Sequence, residues 1–271
     1  MIDIFTKTAK DKLINQDYII TNFERITDEN LTILLKERNF IILADGCSQS
    51  KDSDVGARIL CKIAQKHLEQ NKDINYFALR NSIIKEAKET VKLLGLNFDA
   101  LFATLIILYF DINELIEKVK IKILVYGDGI IGWKYKDQTE EVRVFFNIHN
   151  APFYLMYNDS DELIKKYKDQ FGEEQGIEIW KDGVFSIESK KLTDAVEYEV
   201  DFNQIESLFI SSDGLESFED NGTIVDTKII VEEVFSLKTF LGKFLHRRMG
   251  KIIKNIPIHS DDISIGMLIN K

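Results

Sequence analysis

The chain has 271 residues, with 35 Lys and Arg against 45 Asp and Glu, so its formal net charge is −10. Its hydrophobic fraction of 45% and charged fraction of 30% are ordinary for a globular protein, which excludes wholesale disorder and a bundle of membrane helices. An acidic balance also excludes a general role in coating nucleic acid or anionic lipid, because that affinity comes from clustered Lys and Arg. We expect neither a nucleic-acid nor a membrane partner.

Cysteine usage and the first residues favour a reducing compartment. Cys47 and Cys61 are the two cysteines of the sequence, which are too few for a disulfide framework and lack the spacing of a zinc site. The first eighteen residues carry scattered charges and lack the apolar core of a secretory signal. We therefore expect a cytoplasmic protein. With 2 Pro and 14 Gly and no linker-like tract, residues 1–271 are predicted to form a single domain.

The first hundred residues predict strands followed by helices. YIITNF at 18–23 and FIILA at 40–44 are rich in β-branched and aromatic residues, as strands are. Residues 55–70 repeat apolar side chains at helical spacing, and a second helix is predicted over 74–94, with Gly95 placed to end it. The inward side of the second helix is expected to carry Phe77, Ile84, Ala87, Val91 and Leu94.

The rest of the chain returns to strands. LFATLIILYF, IKILVYG, IIGWKY and VRVFF, between residues 101 and 146, predict hairpin-linked antiparallel strands. Residues 150–200 mix short strands with a charged helix at 161–170, and helices between 227 and 250 precede a final apolar strand, ISIGMLI. Runs of strands and runs of helices in this order indicate an α+β fold and not a parallel βαβ sheet.

Several aspartates stand at the ends of apolar strands. They are Asp17, Asp45, Asp128, Asp213, Asp261 and Asp262. Any one of them could simply begin a turn, where Asp is common. If several converge on one rim of a sheet, their mutual repulsion requires cations or protons. Oxygen ligands without His or Cys favour Mg²⁺ or Mn²⁺ over zinc.

The order and context of these acids resemble a known family. The matching blocks are INQD at 14–17, LADGCSQSKDSDVGAR at 43–58, FATL at 102–105, YGDG at 126–129, ISSDGLES at 210–217 and SDDISI at 260–265. In this order they resemble the metal-dependent protein phosphatase 2C family, and its bacterial branch most closely. The resemblance implies a four-layer αββα sandwich of two antiparallel sheets flanked by helices, with a metal centre in a cleft at one end. It also implies a flap-like insert at about 150–200.

The resemblance assigns ligands to two Mg²⁺ or Mn²⁺ ions. Asp45 would bridge both ions and the Gly46 carbonyl would bind the second, with Asp17 nearby. Asp213 and Asp261 would complete the shell of the first ion. Asp128 would share a third, weaker ion with Asp213.

Three positions depart from the family pattern or bear on phosphate binding. Lys12 stands where the family usually has a phosphate-binding Arg, so Lys12 is the expected phosphate contact. It supplies charge without the bidentate fork of Arg. Gln16 stands where Glu is common, which removes a negative charge near the second ion, and Cys47 follows the first Asp-Gly where eukaryotic members often have His.

The function implied by the resemblance is hydrolysis of phosphoserine and phosphothreonine in proteins by a water that bridges the two ions. Asp45 and Asp213 are then the residues expected to be catalytic, through their hold on the ions. The expected partners are a phosphorylated protein and a cognate Ser/Thr kinase. Two alternatives stay open: a catalytically silent pseudophosphatase that binds a phosphoprotein or kinase, and a hydrolase of another small phosphorylated molecule.

Overall fold

Strands at the centre of the protein are apolar at nearly every position, because both of their faces are covered. A computed structural model describes residues 1–22, 39–71, 75–111, 119–147, 149–192, 195–236 and 242–270. Within these ranges Phe40–Gly46 and Ile263–Ile269 are buried almost throughout. Such strands belong inside a layered fold.

The first half of the described chain is mainly β-structure. Its strands are β1 (Ile2–Lys7), β2 (Asp17–Thr21), β3 (Phe40–Gly46), β4 (Ala103–Asp111), β5 (Lys120–Tyr126), β6 (Gly129–Tyr135) and β7 (Glu140–Phe146). Between β3 and β4 lie the helices α1 (Ser53–Gln70) and α2 (Tyr76–Leu94). The predicted early strands and both helices are confirmed; residues 23 and 74, predicted at their edges, lie outside the described residues.

The second half contains the remaining elements. Its strands are β8 (Glu174–Lys181), β9 (Val184–Lys191), β10 (Val196–Asp201), β11 (Ile205–Ser211), β12 (Phe218–Asp220), β13 (Thr223–Ile224), β14 (Ile258–His259) and β15 (Ile263–Ile269). Its helices are α3 (Asp161–Phe171), α4 (Thr227–Phe235) and α5 (Phe244–Asn255). The helices predicted between about 227 and 250 are confirmed as α4 and α5, and residues 237–241 between them lie outside the described residues.

The strands form two large antiparallel sheets. One has seven strands in the order β1-β15-β11-β6-β7-β8-β9, and the other has five in the order β10-β5-β4-β3-β2. A small third sheet has the order β13-β12-β14. Adjacent strands are antiparallel in every described pairing of these sheets.

Alternating side chains of β3 belong to two different cores. Ile41 and Leu43 face the seven-stranded sheet, whose Ile210 and Leu268 lie in the same buried cluster. Side chains at the even positions, such as Ile42, pack outward under α1 and α2. This follows from the two-residue period of a strand, which places successive side chains on opposite faces.

Helices cover the outer face of each sheet. α1 and α2 bury Leu60 and Ile83 against the five-stranded sheet. On the other side, α4 and α5 bury Val231 and Met249 against the seven-stranded sheet. The predicted α+β fold, with two antiparallel sheets between helical layers, is confirmed.

The connection between β5 and β6 differs from the hairpin that was expected there. β5 pairs with β4 and β10 in the five-stranded sheet, whereas β6 pairs with β7 and β11 in the other sheet. Gly127, Asp128 and Gly129 therefore carry the chain from one sheet to the other. The apolar pattern of both strands fits either arrangement, because each is buried on two faces.

Two apolar side chains of α2 that were expected inside are exposed. Ile84, Ala87 and Val91 are buried as predicted, but Phe77 and Leu94 are 55% and 56% exposed. Both lie at the ends of the helix, Phe77 in its first turn and Leu94 as its last residue, outside the buried part that runs from Leu79 to Val91. The ring of Phe77 packs beside the Arg80 guanidinium at the surface. Gly95 ends the helix in the left-handed region, with φ of 70°, as predicted.

None of the described helices combines the length and the apolar character that crossing a bilayer would demand.

Candidate metal centre

Strand ends from both sheets meet at one pocket. Asp45 lies at the end of β3 in the five-stranded sheet, Asp213 follows β11 of the seven-stranded sheet, and Asp261 precedes β15. Asp128 lies at the crossing between the two sheets. All four carboxylates line a pocket of about 480 Å³, together with Lys12 and Gly46.

Asp17 lies behind this pocket and faces Asp45 across two paired strands. The register of β2 and β3 places the two residues directly opposite each other, a position in which like charges destabilise a sheet. Asp17 is 5% exposed, and its Oδ2 accepts a hydrogen bond from Ser212 Oγ at 2.8 Å. Burial, with the charges of Asp213 and Asp262, raises the pKa of Asp17 to about 7.

The pKa values of Asp45, Asp128 and Asp213 move in the same direction. Burial, and then the charges of Asp17 and Asp213, raise the pKa of Asp45 well above its usual value. Burial and the charge of Asp213 do the same to the pKa of Asp128. The pKa of Asp213 is also raised, mainly by burial. The cluster therefore holds more negative charge than its surroundings stabilise.

Lys12 brings a positive side chain to this cluster. Its ammonium donates hydrogen bonds to Asp261 and to Gln16 Oε1, and lies 3.6 Å from Asp262 Oδ2. Burial alone would lower the pKa of Lys12, but the hydrogen bond to Asp261 and the neighbouring carboxylates raise it. Lys12 lines the pocket, and in this arrangement it is paired with acids.

Asp262 has a different position from its neighbour Asp261. It is 1% exposed, and its two oxygens accept hydrogen bonds from the backbone N–H groups of Ala9 and Gln16, both at 2.8 Å. These bonds fasten the segment between β1 and β2 to the start of β15. Asp262 thereby fixes where Lys12 and Asp17 lie.

Two of the Asp-Gly steps, Asp45-Gly46 and Asp213-Gly214, are places of close backbone approach. A Cβ added at Gly46 would lie 2.7 Å from the Ser53 carbonyl oxygen, and one at Gly214 would lie 1.8 Å from the Asp262 carbonyl oxygen. Real Cβ atoms do not approach backbone oxygens so closely, so glycine is required at both positions. At Gly214 this contact locks Asp213 against the segment that carries Asp261.

The donor atoms of the cluster fit hard divalent cations. They are carboxylate oxygens, which Mg²⁺ and Mn²⁺ prefer. Asp17 Oδ1 and Asp213 Oδ1 are buried without a hydrogen-bond partner among the described residues. Asp17 and Asp213 both lie within hydrogen-bonding reach of the Asp45 carboxyl group. A protonated Asp45 carries one proton, so it can donate a hydrogen bond to one of these two neighbours at a time. In the described ranges, no three His, Cys, Asp or Glu side chains lie close enough together to share one ion. The fit of the cluster to divalent cations therefore rests on the chemistry of its donor atoms and on the unpaired oxygens.

Some residues of the site carried no assignment from the sequence. Ser212 bonds Asp17, and Thr104 Oγ1 accepts a hydrogen bond from the Asp45 N–H at 3.2 Å. Both lie inside the blocks that carried the family resemblance, so their position next to the acids was the available signal. Glu216 lies in the block at 210–217 as well, and its pKa is raised to about 7 by burial and by the charges of Asp213 and Glu178.

The side chain of Gln16 is bonded to two neighbouring side chains. Its Nε2 donates to Ser53 Oγ at 2.9 Å, and its Oε1 accepts from Lys12 at 3.2 Å. A neutral amide can make both bonds at once, because it carries a donor and an acceptor. The substitution of Gln for the expected Glu thus fits the network seen here.

Comparison with known proteins gives a consistent result. A family model described as protein phosphatase 2C matches residues 7–245. A solved bacterial serine phosphatase shares 15% identity and a TM-score of 0.58, with 100% of this chain and 97% of that chain covered. The serine/threonine phosphatase of Staphylococcus aureus shares 13% identity and a TM-score of 0.58, with 100% of this chain and 94% of that chain covered. The serine/threonine phosphatase of S. agalactiae shares 14% identity and a TM-score of 0.52, with 100% of this chain and 99% of that chain covered. At such identities these structures show a shared fold. No curated protein matches the chain.

Proposed function

Because the chain belongs to the protein phosphatase 2C family, we propose that it uses Mg²⁺ or Mn²⁺ to hydrolyse phosphoserine and phosphothreonine in proteins. The match that establishes the family covers residues 7–245. The proposed partners are phosphorylated proteins and a Ser/Thr kinase that forms the same phosphoesters.

The observation that carries the proposal is the convergence of carboxylates from both sheets on one pocket. Asp45, Asp128, Asp213 and Asp261 line the same cavity, although up to 216 positions separate them along the chain. Concentrating buried like charges costs stability. A protein tolerates this cost where the charges serve a function, and binding of divalent ions is the function that their chemistry supports.

The proposed ligands are those expected from the family. Asp45, Asp213, Asp261 and the Gly46 carbonyl would hold two ions, with Asp17 behind Asp45, and Asp128 would share a third ion with Asp213. When bound, such ions supply an activated water nucleophile and neutralise negative charge on the phosphoryl oxygens. A protein nucleophile is then unnecessary.

The chain's own contribution would be positioning. Asp45 is held in place by its strand register with Asp17 and by its backbone bond to Thr104. Asp213 is held by the close contact of Gly214 with the Asp262 backbone. Lys12, at the pocket wall, would offer positive charge to a phosphoryl oxygen, as a point charge and not as a fork.

Gln16 gives a specific reason to consider a second function. Its side chain is neutral and already bonded to Ser53 and Lys12, so the second ion would have one carboxylate fewer near it than in relatives with Glu. If the loss prevents turnover, the same pocket would bind a phosphoprotein or its kinase without hydrolysing the ester. The two functions differ in turnover and not in binding.

The experiment is an assay of purified protein with a phosphothreonine peptide in Mn²⁺, in Mg²⁺ and in EDTA. We expect release of inorganic phosphate with either ion and loss of release with EDTA. Asp213→Asn should reduce kcat/KM by about a hundredfold or more, because it removes charge from the proposed ligand set.

The matched control is Asp137→Asn. Asp137 is exposed in the turn after β6, at the end of that strand remote from the pocket, so this variant should retain full activity. Peptide binding without phosphate release would favour the pseudophosphatase. A protein that shows no peptide binding and no phosphate release would contradict both functions.

A further inference from the structure

The pocket of the proposed metal centre has a second side that is aromatic. Besides the carboxylates it is lined by Tyr154, Tyr157 and Phe171, which we call the aromatic wall. Ala151 and Pro152 extend the same surface. Tyr157 and Phe171 are neither fully buried nor fully exposed, so part of each ring faces the pocket.

The aromatic wall is held rigidly by ring contacts. Tyr157 stacks on Phe102 with centroids 5.1 Å apart and on Tyr154 at 6.0 Å, with interplanar angles of 20° and 9°. Phe171 packs against Tyr167 at 5.1 Å. Phe102 directly precedes β4, so the stack joins the wall to the central sandwich.

Hydrogen bonds fix α3 to the same region. The Tyr167 hydroxyl donates to the Ala151 carbonyl oxygen and accepts a bond from Asn147 Nδ2 at 3.0 Å. Tyr167 is 1% exposed and shares a buried cluster with Phe153 and Leu192. A preformed aromatic surface binds at a low cost in conformational entropy, since its side chains need no further ordering.

A phosphoryl group does not use this surface. The charged end of the substrate belongs with the carboxylates and Lys12, and the thin side chain of phosphoserine or phosphothreonine covers little of a 480 Å³ pocket. Burial of the exposed ring faces requires a second apolar group from the substrate. The residue next to the phosphorylated one is the nearest group that can supply it.

Resting on the proposed function, we propose that this site selects phosphoserine and phosphothreonine peptides that carry an aromatic residue directly beside the phosphorylated residue. The flanking ring packs on the aromatic wall while the phosphoryl group lies at the carboxylates. Aromatic rings pair favourably with Tyr and Phe in offset or edge-on arrangements, which a small side chain such as Ala cannot do.

The test compares phosphothreonine peptides that differ at one position. The parent has Ala on both sides of the phosphothreonine, and two others have Phe immediately before or immediately after it. With Mn²⁺ present, at least one Phe peptide should exceed the parent about tenfold in kcat/KM, the factor that one well-packed aromatic contact contributes.

Variants locate the effect on the wall. Phe171→Ala should bring the ratio between the Phe and Ala peptides close to one, and Phe171→Leu, which keeps an apolar side chain, should restore part of it. The control is Phe185→Ala: Phe185 is 56% exposed on β9 and does not line the pocket, so its loss should leave the ratio unchanged.

Three outcomes would contradict the inference. Equal turnover of the Phe and Ala peptides by the wild-type protein would overturn it and leave the proposed function standing. A stronger preference for a phosphotyrosine peptide would also overturn it, because the wall would then receive the phosphorylated ring itself. If none of the peptides were hydrolysed, the proposed function would fail, and this inference with it.

Discussion

At the scale of single residues, the site is organised around charge that the fold does not neutralise. Asp17 and Asp45 face each other across β2 and β3, and buried oxygens of Asp17 and Asp213 have no partner among the described residues. Lys12 offsets part of this charge through Asp261. Such a cluster lowers the stability of the metal-free protein, since each buried carboxylate loses its hydration.

Replacing Asp17 by Asn should therefore stabilise the metal-free protein. The amide oxygen can still accept the bond from Ser212, while the buried negative charge is removed. In EDTA at mildly alkaline pH we expect the free energy of unfolding to rise by about 1–2 kcal/mol, measured by urea denaturation. Asp137→Asn, at an exposed turn, keeps an oxygen that can accept the two bonds from Thr139, so its free energy of unfolding should change by less than about 0.5 kcal/mol. A loss of stability in Asp17→Asn would mean that the charge is already compensated.

Glu216 predicts a dependence of stability on pH. Burial, with the charges of Asp213 and Glu178, raises its pKa to about 7, above the value of about 4.3 in an unfolded chain. The folded state then binds the proton more tightly, so the stabilising contribution is present at low pH and is lost as the pH rises towards 7.

Glu216→Gln removes this titration. The variant should match the wild type in unfolding free energy near pH 4 and become about 3–4 kcal/mol more stable than the wild type near pH 8, in EDTA. Denaturant unfolding at a series of pH values measures the difference. A constant difference across the range would contradict the raised pKa.

At the scale of elements, loops at the strand ends depend on backbone contacts that admit no side chain. Gly214 is the second residue of the short helical turn after β11, and an added Cβ would lie 1.8 Å from the Asp262 carbonyl oxygen. β11 and β15 are neighbours in the seven-stranded sheet. A side chain at position 214 would therefore push the segment after β11 away from the segment before β15. Asp213 would then move away from Asp261.

Gly214→Ala should reduce the free energy of unfolding by about 3 kcal/mol and abolish phosphatase activity. The matched substitution is Gly250→Ala in α5, where an added Cβ meets nothing within 4 Å. That variant should gain about 0.5–1 kcal/mol, because Ala is the better helix former. Thermal melting and phosphate release together check both results; equal melting temperatures would contradict the close packing at Gly214.

At the scale of the whole molecule, the sequence predicted the kinds of elements better than their neighbours in space. The order of strands and helices and the acids at strand ends could be predicted from the sequence, because burial imposes a local apolar pattern on strands. The crossing of the chain from one sheet to the other at Asp128 could not be predicted. The apolar pattern of β5 and β6 is the same whether they form a hairpin in one sheet or belong to two sheets. Likewise, the stacking of Phe102 on Tyr157 depends on tertiary packing that has no local signature.

The most direct measurement of the central claim is anomalous diffraction at the manganese edge from crystals grown with Mn²⁺. We predict at least two manganese peaks in the pocket, with oxygens of Asp45, Asp213 and Asp261 as ligands. A pocket without manganese at saturating concentration, or manganese bound only at other faces of the molecule, would contradict the account.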